Sequence, residues 1–482
     1  MLLHNKSKST SILLPIILTL FLAGIWWLAP HPLLILPLAF LPIAAWFALN
    51  NAIWICMGFI LFSFFRIHEA FPVLYSLKIP QLLALGTLAV TAWHMYLTKK
   101  ITPFWNSHLT GFAIFFCLVT FGLLFASNRG EAISAWTGNF VKIALMVLII
   151  AWLPKSKKDF AICNWSILLT GIVIAIVALN NKINGIGLVE GTRVTIGRNI
   201  GSMLGDPNDL ALVLLFPTSF ALALLFAPSS NKLPKFLALC GYLIIVSAII
   251  ATQSRGGLLG IMAVTGVFAW QKVKNKVLLI SMGVMVAGLL LALAGISDRA
   301  SGGAEEAGID ASAMGRIYAW QAAWNMAVSN PLTGVGLSNF YVNYYFYSPH
   351  WDGKNHAVHS TWLGVLAETG FVGFIAFTTM VIRTLINNIM QVRLINQLTR
   401  IVEHSTSLAP AYVASAQATL AGIVGVMVSG TFLTQGFTWP IYILFALSMA
   451  VTNTLSPILQ TLEQEQQKYS RKTLYSQKKT KP

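Results

Sequence analysis

Residues 209–227 read DLALVLLFPTSFALALLFA, and after Asp209 no charged side chain appears before the run ends. A helix rises about 1.5 Å per residue, so a run of this length covers the ~30 Å hydrocarbon core of a bilayer. A surface helix of a soluble protein would keep a polar stripe, and this stretch has none. Similar runs recur on both sides, at 11–29, 32–49, 51–65, 79–97, 107–126, 135–153 and 160–180 before it, and at 235–251, 257–271, 277–295, 359–382, 409–431 and 438–455 after it. With 56% hydrophobic and 10% charged residues among 482, the chain lies far from a soluble protein, in which about a quarter are charged. Soluble, disordered and disulfide-scaffold classes are excluded. The expectation is an all-α, polytopic integral membrane protein with about 12–14 transmembrane helices, residues 1–482 forming a single transmembrane domain.

The charges fall mostly between the runs. There are 32 Lys+Arg against 15 Asp+Glu, a formal net charge of +17, which in a soluble protein would point to nucleic acid. With the N-terminus inside, however, 21 of the 32 basic residues fall on the cytoplasmic side, from Lys6 and Lys8 through Lys155, Lys157 and Lys158 to the basic tail at 456–482. That is the positive-inside pattern, so the excess charge is an orientation signal and no nucleic-acid partner is expected. Both termini are placed in the cytoplasm. Cys56, Cys117, Cys163 and Cys240 each sit within an apolar run, which suits small buried side chains and neither disulfides nor zinc ligands.

Two outer connections are long, 181–208 and 296–358. Gly302 to Ala313 reads as an acidic linker, but from Arg316 to Val328 the residues Ile317, Trp320, Trp324 and Ala327 recur at helical spacing, and Asn330-Pro331 stops the run. A short amphipathic helix is expected there, on the membrane surface or covering the bundle.

The informative basic residues are those on the outer side, where the orientation rule does not explain them. Arg255 stands in Thr252-Gln253-Ser254-Arg255-Gly256-Gly257, a short turn between two spans; Arg198 opens RNIGSMLGDPNDLA, with Arg193 just before it. A snorkelling arginine is the plainer reading. Guanidinium forks, however, match phosphate oxygens, so several of them beside a membrane suggest a lipid phosphate or pyrophosphate. Asp206 or Asn208 is the expected cap of the following helix. His359 enters a span from the long loop, where an imidazole that titrates near neutrality could take a proton from a hydroxyl, or simply bond the helix start. His356 and His359 lack further ligands at a recognisable spacing, so no metal is expected. Glu368 lies nine residues past His359, on the opposite helix face, and a buried carboxylate there calls for a partner such as Lys142.

Taken together, RNIGSMLGDPNDLA (198–211), Ser254-Arg255-Gly256, Gly315-Arg316 with Trp320 and Trp324, NPLTGVGLSNF (330–340), and His359-Ser360-Thr361-Trp362-Leu363 with Glu368-Thr369-Gly370 resemble the O-antigen ligase superfamily. That superfamily also holds O-antigen polymerases and protein O-oligosaccharyltransferases. The motifs agree in order over roughly residues 80–455. Ser360 departs from the Asn that follows the histidine in many ligases, and His359-Ser360 is more similar to the exosortase-associated O-glycosylation ligases. The segment from Arg66 to Pro72 resembles ligase-like proteins described as bicarbonate transporters.

The resemblance implies a multi-pass protein of the bacterial inner membrane with a periplasmic active site. It would transfer a glycan from undecaprenyl pyrophosphate to a hydroxyl on a glycolipid, polysaccharide or protein, with inversion and without cofactor or metal. Arg198 and Arg255 would bind the pyrophosphate and stabilise its charge, and His359 would act as general base. Arg193, Arg316, Asn208, His356 and Trp320 would complete the pyrophosphate and glycan contacts. A polymerase of the same family and a secondary anion transporter are the alternatives; the latter calls for charges near the bilayer midplane, where Lys142 and Glu368 are the exceptions.

Overall fold

In hydrocarbon a backbone amide has no water to bond, so each apolar run closes its hydrogen bonds internally as a helix. The computed structural model describes residues 16–17, 19–24, 26–27, 35–229, 231–293, 311–401 and 408–479. Most of the expected first span, Arg299 and the acidic stretch up to Asp310 lie outside them. In chain order the helices are α1 (Ile35–Asn50), α2 (Ala52–Ser63), α3 (Ile67–Ala70), α4 (Ile79–Tyr96), α5 (Ser107–Gly122), α6 (Arg129–Ala135), α7 (Val141–Trp152), α8 (Lys157–Ile183), α9 (Pro207–Phe226), α10 (Lys232–Ala251), α11 (Arg255–Lys272), α12 (Lys276–Leu293), α13 (Ala311–Ser329), α14 (Phe340–Tyr347), α15 (Thr361–Ile401), α16 (Pro410–Gly430) and α17 (Trp439–Lys479). A π-helical turn, Trp136–Phe140, joins α6 to α7.

The protein is an all-α, polytopic membrane protein. Among the described residues, eight helices are long and apolar enough to cross a bilayer, and a ninth span results if the pair bent by 101° at Asn51 counts as one. The expected runs 79–97 and 257–271 do form helices, of 18 residues each, but polar ends dilute them: Gln81 and His94 in α4, Arg255 and Lys272 in α11. The count by length and apolarity is therefore lower than the sequence suggested.

The run at 209–227 is the centre of the bundle. Of the spans it is the most enclosed by protein, and α8, α10, α11 and α16 all pack on it. Leu210 to Phe216 are each 0% exposed, which explains a helix without a polar face. Gly257 lets the start of α11 meet α9 closely: a Cβ there would stand 2.6 Å from the Ala211 methyl.

The helix expected at 316–328 is α13, and it begins earlier, at Ala311, inside the stretch read as linker. Its buried face is not the tryptophan stripe. Ala319, Ala322, Ala323, Met326 and Ala327 are fully buried, whereas Trp324 is 52% exposed and meets the Phe371 ring edge-on. Small side chains let α13 lie close on α15, and bulky tryptophans at the contact would hold it away. With Val335, Phe340, Tyr344 and Val358 this face forms a separate small core, so residues 311–360 make a cap on the first half of α15.

The cap is keyed into a break in α15. Gly370 has φ +65°, outside the helical region, which frees carbonyls on the preceding turn. Val335 N–H donates to Ala367 O at 2.9 Å and Gly336 N–H to Glu368 O at 3.2 Å, while Phe371 N–H donates to Pro331 O at 2.8 Å. The Glu368 carboxylate accepts from Ser338 N at 2.9 Å and Phe340 N at 3.2 Å. Lys142 is not its partner: backbone amides at the start of α14 satisfy it where a cation was expected. A Cβ at position 370 would stand 2.6 Å from Pro331 O. Gly370→Ala is accordingly expected to destabilise the cap by about 1–2 kcal/mol through the left-handed φ alone, seen as faster proteolysis within 331–343; wild-type resistance would show that the break is not structural.

Candidate functional site

One end of the bundle gathers the loop 184–206, the turn 252–254, the cap strand leading to α15, and the connection 431–438. Each is tied to its neighbours by polar contacts. Asp206 caps α9, accepting from Asn208 N at 2.7 Å and Asp209 N at 3.3 Å, so of the two expected caps it is Asp206 that fills the role. Asn208 is engaged elsewhere: its Oδ1 accepts from Arg193 Nη2 at 3.0 Å. Arg193 is 7% exposed and also donates from Nε to Thr252 O at 3.2 Å. A guanidinium with those bonds works as a strut joining the loop, α9 and the end of α10.

Arg198 differs. It is exposed, on a short 3-10 turn, and donates to Gly205 O at 3.4 Å, the outer limit of a hydrogen bond, so most of its donors face outward. Arg255 is half-buried on the first turn of α11, whose cap is Ser254, accepting from Gly257 N at 3.2 Å. Gly256 beside it lies 3.6 Å from Ser429 O and the Phe432 side chain, measured from a Cβ built there.

His359 stands immediately before α15 with φ +45°, a left-handed backbone that histidine adopts more readily than most residues. Trp320 fixes the strand beneath it by donating to Val358 O at 3.1 Å. Thr361 then locks the helix start onto the connection, its Oγ1 donating to Leu433 O at 2.8 Å and accepting from Gln435 N at 3.1 Å. Burial pushes the half-buried His359 imidazole below its ordinary value of 6.5; Arg316 and His356 push it the same way, and Asp206 opposes them. His356 bonds Asp352 through Nε2 at 2.9 Å and packs edge-on against Tyr344.

The connections close a circuit. Thr361, two residues from His359, bonds the 433–435 segment; Gln435 Nε2 donates to Asp209 Oδ1 at 2.9 Å at the start of α9; and Ser429 and Phe432 abut Gly256 beside Arg255. The start of α15 after His359, the start of α9 after Asp206 and the turn of Arg255 are thus held on one scaffold. Among the described residues no group of three or more His, Cys, Asp or Glu could hold a metal ion.

Residues 240–378, from within α10 to the first part of α15, match the family model described as O-antigen ligase. That stretch, under a third of the chain, is similar to the O-antigen ligase family. That similarity suggests a class, a glycosyltransferase of O-antigen ligase or polymerase type. The matched stretch contains Arg255, Arg316, Trp320, His356 and His359, whereas Arg193, Arg198 and Asn208 precede it. No curated protein matches the chain.

Sequence reasoning missed two residues that hold this end of the bundle together. Gln435, 3% exposed, joins the starts of α9 and α15 through the bonds above. Glu69, 5% exposed, pairs with Arg66 and accepts from Ser202 Oγ, which fixes the loop carrying Arg198 against α3. Neither belongs to a recognisable spacing. The only signal at Glu69 was its place in Arg66-Ile67-His68-Glu69, a charged cluster between apolar runs.

Proposed function

We propose that this protein transfers a glycan from a polyprenyl pyrophosphate, undecaprenyl pyrophosphate in a bacterial inner membrane, to an acceptor hydroxyl at the periplasmic end of the bundle. The observation that supports the reading is the scaffold that ties the start of α15, two residues past His359, to the start of α9 after the Arg198 loop and to the turn that carries Arg255. His359 takes the proton from the acceptor O–H. The acceptor oxygen bonds the anomeric carbon from the face opposite the donor oxygen, and the bond from that carbon to the pyrophosphate breaks with its electron pair going to the phosphate. Configuration inverts in a single displacement. Arg198 and Arg255, with Arg316, stabilise the charge that develops on the leaving pyrophosphate; fixed cations in a partly water-excluded site do so without reorganising. Arg193, Asn208 and Trp320 support this arrangement from behind, and His356 borders the acceptor side of the cap. The cap limits the access of water, which would otherwise hydrolyse the donor.

The test is a membrane preparation of the protein supplied with a polyprenyl-pyrophosphate-linked glycan and acceptors bearing hydroxyls. One glycan is expected on the acceptor per polyprenyl pyrophosphate released, with the rate unchanged by a chelator. A ladder of products marks polymerisation. Chelator inhibition that added divalent ion reverses, or consumption of donor without transfer, overturns the scheme.

Because Arg316 holds the His359 pKa down, Arg316→Gln raises it. A base works only when unprotonated, so activity falls as pH drops through the folded pKa. The wild-type acid limb is expected below pH 6.5, and the variant's limb above the wild type's. A pH–rate profile that does not move in the variant would separate Arg316 from His359.

A further inference from the structure

Lys142 lies inside the 129–152 span, not covered by other residues and without a hydrogen bond or ion pair among the described residues. An ionisable group within a span is costly unless something satisfies it. It lies on the wall of a cavity of about 540 Å³ between α2, α4 and the α6–α7 helix. Phe62, Leu85, Leu88, Met146 and Trp439 give that cavity apolar sides, and Arg66, His68, Gln81 and Lys142 give it a polar mouth. Glu69 offsets Arg66, so Lys142 leaves the mouth net positive. The buried His68 Nδ1 has no hydrogen-bond partner among the described residues. A cationic, donor-rich mouth over an apolar groove is complementary to a phosphate headgroup with a hydrocarbon chain below it.

We propose that this cavity seats an anionic glycerophospholipid of the surrounding bilayer, its phosphate against Lys142 and Arg66 and one chain along the apolar wall. The site adjoins the loop of Arg198 through Glu69 and Ser202 but shares none of the residues assigned to transfer. It stands or falls independently of the reaction above.

The full chain is reconstituted in phosphatidylcholine vesicles carrying a trace of photoactivatable phosphatidylglycerol, and the labelled peptides are mapped. Labelling is expected within residues 80–88 and 136–146, and Lys142→Met lowers it about fivefold, the loss of one lysine's attraction to an anionic lipid. Lys142→Arg keeps it. Gly138→Leu, which extends into space where a Cβ meets no atom within 4 Å, lowers it with Lys142 intact. Inorganic phosphate leaves labelling unchanged. Four results overturn the proposal: equal labelling by a phosphatidylcholine probe, no effect of Lys142→Met, displacement by inorganic phosphate alone, and displacement by polyprenyl pyrophosphate at lower concentration than by phosphatidylglycerol. The second leaves Lys142 merely snorkelling, and the last assigns the groove to the glycan donor.

Discussion

His359→Ala is expected to lower glycan transfer by about 10²–10⁴-fold, the contribution typical of a general base, with protein abundance in the membrane unchanged and lipid-linked donor accumulating. The local structure makes this a clean experiment. His359 makes none of the contacts that fix the start of α15; Thr361 and Trp320 make them, through Leu433, Gln435 and Val358. Removing the imidazole should therefore leave the fold in place. The left-handed φ of +45° gives a matched control. His359→Gly relaxes that backbone while deleting the same ring, so it is at least as stable as the alanine variant and equally inactive. If either variant transfers glycan at near wild-type rate, the proton goes elsewhere and the base assignment is wrong.

Arg255→Ala is expected to cost about 10²–10³-fold, as when one preorganised group is removed from a developing negative charge. The loss should appear in kcat as well as in donor affinity, because the charge on the pyrophosphate is greatest as the bond breaks. Arg255→Lys keeps the charge but not the planar fork, and is expected to recover only part of the activity. Full recovery by lysine would reduce Arg255 to a general attractor of anions. Arg193→Ala offers the contrast: its bonds to Asn208 and Thr252 make it a strut, so loss of activity there should come with loss of stability.

Much of this molecule was legible in the order of its residues. Apolar runs announced membrane helices, because hydrocarbon admits no unsatisfied backbone. Asn330-Pro331 marked the end of α13, and the structure stops that helix at Ser329. The outward arginines and His359 stood out because the orientation rule could not account for them. Roles within the site were harder to read. Arg193, Arg198 and Arg255 look alike in sequence, and only their hydrogen bonds separate a buried strut from a guanidinium facing outward. Glu368 called for a cation and found backbone amides, since the break at Gly370 brings the 331–340 loop against it. Lys142, which that pairing would have absorbed, was left on the wall of a cavity.

The sequence by itself determined the class of the protein and its helical elements, through forces that act along the chain: the hydrophobicity of each run, its length against the bilayer, and the charges and prolines that end it. Tertiary structure alone decided which face of α13 is buried, what Arg193 and Glu368 bond, and that Gln435 ties the starts of α9 and α15 together. Those outcomes depend on distances between residues far apart in the chain, and hydrogen bonds and close packing fall off within a few ångströms, so no spacing along one segment can encode them.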